Sequence, residues 1–133
     1  MWFNESMNWE TVEAEGWYSA LNHDIRDLLA EVGYLLERER QLVQSKEIVD
    51  YSFLVFPAAK AFEGFLKVYF FEMGMMGEEE FYNDHFRIGK ALNPDLPTKY
   101  RDDGWVYDDV TKLCGMEAAD FLWQVWKECR NQV

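Results

Sequence analysis

Residues 115–133 read GMEAADFLWQVWKECRNQV, and the fold is decided there. Ala119, Leu122, Trp123 and Trp126 recur at three- and four-residue spacing, the period of one helical face turned towards a core. Carried on by four residues, the row reaches Arg130, and one further turn brings it to Val133. A guanidinium one turn past two tryptophans, on the core side of a helix, is costly to desolvate unless a carboxylate or an anion meets it. Either Arg130 is paired inside the protein or it stands ready for a phosphate. The plainer alternative is a helix-end arginine whose stem lies on the apolar face while its head reaches water. Neither a glycine cap nor a proline follows Arg130, so the helix is expected to run off the end of a longer natural chain.

Upstream of this helix, the polar stretch 98–109 reads as a loop in which Trp105 and Tyr107 are pins rather than ligand contacts. A turn over 110–113 then leads to Gly115. Residues 78–92 carry acids in their first turn and Lys90 near their end, the charge order of a helix, and Asn93, Pro94, Asp95 and Pro97 terminate it. Before them, SFLVFPAAKAFEGFLKVYFF (52–71) is apolar almost all round, with Lys60, Glu63 and Lys67 as its polar stripe. Such a helix belongs at the centre of a bundle, with Pro57 in its early turns or at a kink. From Ser19 to about Gln44, Leu21, Ile25, Leu28, Leu29, Val32, Leu35 and Leu36 follow the helical repeat, with Ser19 as its N-cap. Residues 1–16 hold Trp2, Phe3 and Trp9 without a clean period and read as an aromatic arm or short helix. The expectation is an all-α helical bundle of about four main helices, one domain over 1–133.

With 133 residues, about half of them apolar, one sizeable core is possible and two ordinary domains are not. The formal charge of -12 argues against DNA and against broad nucleic-acid binding, while leaving room for a small cationic cleft. Cys114 and Cys129 lie in no zinc spacing, and two cysteines without a secretion signal read as reduced thiols in the cytoplasm. The most apolar stretch is interrupted by charges, so no membrane span is expected. Nothing in the pattern calls for a metal or a cofactor. A di-iron bundle needs Glu-x-x-His, but Tyr82 stands three before His85 and Ala20 three before His23. Neither histidine has a nucleophile motif, and no glycine-rich phosphate loop is present. His23 reads as a helix-face residue. His85, in NDHFRIGK beside Arg87 and Lys90, reads as part of a local basic end to an acidic helix.

The central stretch 52–71, the stretch DDGWVYDDVTKLCGMEAADFLWQVWKECRNQV (102–133) and the Arg130-Asn131 pair together resemble the HEPN superfamily of helical-bundle proteins. Within it the chain is similar to the RNase LS-type toxins, over roughly residues 50–133. In such families an arginine followed by a polar residue precedes a histidine by a few positions; Arg130 and Asn131 match the first half, and the histidine would fall past Val133. The resemblance implies a metal-independent endoribonuclease, a toxin or phage-defence effector, in which the ribose 2′-hydroxyl attacks the adjacent phosphate. Arg130 would stabilise charge on the phosphorane and Asn131 would orient the histidine or the phosphate. It further implies an RNA substrate, a homodimer that joins two motifs at one cleft, and an inhibitor or antitoxin protein. Without its histidine, the chain as it stands would be inactive. The alternative is a non-catalytic helical module that dimerises or binds a partner through its aromatic arm and acidic surface.

Overall fold

A computed structural model describes residues 9–41 and 52–130, with the backbone alone described at 129 and 130. The chain is all-α, with no strand among the described residues. The helices are α1 (Trp9–Ala14), α2 (Gly16–Ser19), α3 (His23–Gln41), α4 (Ser52–Glu72), α5 (Glu78–Phe81), α6 (Ile88–Leu92), α7 (Tyr107–Cys114) and α8 (Met116–Arg130), with a 3-10 turn at Thr98–Tyr100. The longest four are α3, α4, α7 and α8. No described helix is long and apolar enough to cross a membrane. Packing groups the backbone into two compact units, 1–61 and 62–133, and the division falls inside the continuous helix α4.

In the first unit, α1 supplies an aromatic lid for α3. The Trp9 ring lies directly on Gly33, where an added Cβ would come within 2.6 Å of it. The absence of a side chain at 33 is what lets the indole seat there. Tyr18 meets Trp9 edge-on at 6.4 Å, and its hydroxyl donates to the Arg26 carbonyl at 3.4 Å. Trp9 of the aromatic stretch 1–16 thus packs on α3; Trp2 and Phe3 lie outside the described residues. Ser19 does not cap α3. Its hydroxyl donates back to the Gly16 carbonyl at 2.9 Å and closes α2, while α3 opens at His23, with Arg26 N–H bonding to the Asn22 carbonyl at 3.0 Å.

The second unit is built around Leu66 and Phe70 of α4, Leu92 of α6, Val106 and Val110 before and in α7, and Ala119 of α8, all buried. Leu122, Trp123 and Trp126 pack against this cluster, so the row read from residues 115–133 does face a core. Gly74, at φ 77°, ends α4: Met75 N–H bonds to the Phe70 carbonyl at 2.8 Å and Gly74 N–H to that of Phe71 at 3.1 Å. This pair of hydrogen bonds is the Schellman stop, and only glycine takes the left-handed position without strain. Met75 and Phe70 meet in the core, the apolar contact that accompanies such a stop.

Two sequence expectations need correction in this unit. Residues 78–92 form two short helices rather than one. Asn83 Oδ1 accepts the His85 N–H at 2.8 Å, a side-chain turn that competes with the helical ladder, and Arg87 is extended at φ -129°, ψ 120°. The stretch 107–114, read as loop and turn, is the helix α7, with Asp108 and Asp109 in its first turn. Trp105 does pin the preceding loop: its indole N–H donates to the Asn93 carbonyl at 2.8 Å, and Arg101 covers its ring at 4.2 Å. Val106 N–H bonds to the Ala91 carbonyl at 2.9 Å, tying that loop to α6.

Candidate functional site

Arg130 occupies the last turn of α8, on the helical row of Ala119, Trp123 and Trp126. Its side chain and the whole of Asn131 lie outside the described residues. One turn earlier, Trp126 is stacked on Trp123 at 5.5 Å and 10°, and its indole N–H donates to Glu63 Oε1 on α4 at 3.3 Å. Glu63 is thus drawn from the polar stripe of α4 into contact with α8. Lys67, the next member of that stripe, lies over the rings of Phe81 and Phe86 at 5.5 and 5.8 Å.

The residues of NDHFRIGK come together around a small crevice of about 90 Å³ lined by Asn83, His85, Arg87 and Lys90. Their charges are largely turned to structural use. Arg87 Nη1 donates to the carbonyls of Asp84 and Phe86, and Lys90 Nζ donates to Asp102 Oδ2 at 3.0 Å. The Lys90 hydrogen bond holds the Asp102 carboxyl below its usual range, with the Gly104 backbone N–H adding to the effect. Elsewhere, in the first unit, His23 Nδ1 stands 3.2 Å from Asp27 and 3.8 Å from Asp24 at the start of α3. This exposed trio is the one group of three ligand-type side chains among the described residues with atoms close enough to share an ion.

A larger feature adjoins the crevice. A shallow trough of about 520 Å³ runs from the Gly74 corner to α7, lined by Met75, Met76, Glu80, Asp103, Trp105 and Asp109 as well as Asp102. Asp109 and Leu113 stand one turn apart on α7 and share a face. Leu113 is 52% exposed, and next to it Cys114 Sγ lies 3.4 Å from the Tyr69 hydroxyl of α4. That hydrogen bond raises the Tyr69 phenol above its ordinary range, with burial adding to it. Phe65, stacked on Tyr69 at 6.1 Å, is 41% exposed; Met73 and Met116 are exposed as well. An apolar strip thus follows α4 and the α7–α8 corner beside an acidic trough. The sequence pattern hid it, because Leu113 and Met116 lie in segments read as a turn and a helix start. A helix as apolar all round as α4 gives no sign in its sequence of which residues stay uncovered.

No family model, curated protein or solved structure matches this chain.

Proposed function

We propose that the chain is a non-catalytic helical module that binds another protein through the strip formed by Phe65, Tyr69, Met73, Leu113 and Met116. The observation that supports this reading is the exposure of Phe65, Met73, Leu113 and Met116, with half-buried Tyr69 of α4, whose hydroxyl meets Cys114, linking α4 to the α7–α8 corner. Water gains nothing from such a surface and a partner does, which is why grouped exposed apolar residues mark interaction faces. The test is a photo-crosslinking amino acid placed at Leu113, at Phe65 and, as a control, at exposed Glu31 of α3. Adducts of one defined mass in the native host from the first two positions, and none from the third, are expected. Adducts equally abundant at all three positions, or absent from all, would end this reading.

A second reading is the HEPN-type endoribonuclease, with Arg130 and Asn131 at its catalytic centre, an RNA substrate, a homodimeric cleft and a restraining inhibitor protein. What supports it is the inward face of Ala119, Trp123 and Trp126, whose next turn is position 130. Its test is RNA cleavage in EDTA by the protein carried past residue 133, with Arg130→Ala abolishing the activity. Cleavage that survives that substitution would refute the role given to Arg130.

A further inference from the structure

We propose that the partner bound at this surface presents a basic amphipathic segment, its apolar side chains on Phe65, Met73 and Leu113 and its lysines or arginines over Glu80, Asp103 and Asp109. The proposal rests on the protein-binding reading above and adds the chemistry of the occupant. Of the nine residues lining the trough, four are carboxylates and none is basic. Asp102 is already committed, since Oδ1 accepts the Gly104 N–H at 2.9 Å and Oδ2 the Lys90 ammonium at 3.0 Å. Glu80 Oε2 accepts the Gly77 N–H at 3.1 Å, which fixes the carboxylate without neutralising it. Among the described residues, no ion pair reaches Glu80, Asp103 or Asp109. Three carboxylates without an ion pair therefore share one concave surface, while the cations at its edge, Lys90 and Arg101, are held by Asp102 and the Trp105 ring.

The trough is not only acidic. Met75 and Met76 lie under it with Trp105 at its side, polarizable groups that pack well against long aliphatic stems. Arg101 covers the Trp105 ring at 4.2 Å from its centroid, so this indole borders the trough with its own cation in place. One turn along α7 from Asp109 the surface changes to Leu113, and through Cys114 and Tyr69 it continues to Phe65. A ligand lying along this face meets carboxylates first and apolar side chains next, the reciprocal of a helix or strand with a cationic and an apolar part. A second copy of the chain fits poorly. It would bring the same carboxylates, and a formal charge of -12, against this surface, and like charges facing each other oppose docking.

Isothermal titration calorimetry with two synthetic helical peptides, one of lysine and leucine and one of glutamate and leucine, tests the proposal. The lysine peptide should bind and the glutamate peptide should bind at least about tenfold more weakly. Asp103→Asn with Asp109→Asn should weaken the lysine peptide by about fivefold or more. Asp24→Asn with Asp27→Asn removes the same charge from α3 and should leave its affinity unchanged. Equal losses in the two double variants would mean that net charge alone attracts the peptide, and would overturn the proposal, as would absence of binding. If both peptides bind alike and Leu113→Ser abolishes both, the basic segment is wrong while the protein-binding reading stands. Crosslinking from Leu113 decides that reading independently. All these positions are exposed, and far-UV circular dichroism establishes that the variants fold.

Discussion

Gly89→Ala tests how tightly α8 is seated. A Cβ at position 89 would collide with the outer ring of Trp126, reaching Cζ2 at 2.5 Å and Cη2 closer still. The indole cannot simply slide away, since it is stacked on Trp123 at 5.5 Å and holds Glu63 at 3.3 Å. Two effects of opposite sign compete. Alanine in place of glycine in a helix contributes about 1 kcal/mol, less in a helix as short as α6. Overpacking costs about 1–3 kcal/mol, and displacing the indole also forfeits a bond to a carboxylate and an aromatic contact of about 1 kcal/mol. Packing wins, and a net loss of about 1–2 kcal/mol is expected. Urea unfolding followed by far-UV circular dichroism measures it in the wild type, Gly89→Ala, Trp126→Leu and the double variant. With the outer ring gone, the alanine should be neutral or stabilising, a coupling of about 1–2 kcal/mol. A Gly89→Ala protein more stable than the wild type, or a cost unchanged by Trp126→Leu, would refute the packing argument.

Gly33→Ala should lift Trp9 off α3, because the new Cβ would stand 2.6 Å from the ring; hydrogen exchange should quicken in residues 9–14 and stay unchanged in α7 and α8. The Tyr107 phenol is raised above its ordinary range, first by its 2.6 Å hydrogen bond to Asp120 and then by desolvation. A raised folded-state value gives stability that is present below about pH 10 and lost as pH rises through the folded value, so Tyr107→Phe should flatten the alkaline fall in melting temperature. The flattening is partial, since Tyr69 is shifted the same way by Cys114. Asp102 is lowered by Lys90, so its contribution is present above about pH 4 and lost as pH falls through the folded value. Lys90→Met should reduce that acid-side loss, by less than about 1 kcal/mol because the pair is half exposed and the Gly104 N–H stays on Asp102, as urea unfolding across pH 2–5 would measure.

The inward row of α8 and the apolar girth of α4 were legible because each is a period sustained over many residues. α4 opens at Ser52, and Pro57 falls in its second turn, within the early turns expected for it. What escaped was local and conditional. Tyr82-Asn83-Asp84 interrupts an acidic helical pattern through one side-chain hydrogen bond, and an Asn-Asp pair inside a helix pattern was the available signal. Helix α7 was hidden by the aromatic loop before it, although Asp108 and Asp109 ahead of Val110 carry the charge order of a helix start. The face beside it was illegible for a different reason. Apolar composition tells how much surface must be covered, while which side chains stay uncovered depends on how α4, α7 and α8 pack.

The thiol of Cys114 is exposed, and its sulfur sits between Tyr69 and the helix corner where Leu113 and Met116 emerge. A small alkylating reagent therefore reads the occupancy of that corner directly. Its rate at this one sulfur, followed by peptide mass mapping, should fall in proportion to the fraction of molecules covered there, giving a footprint of complex formation without any engineered label.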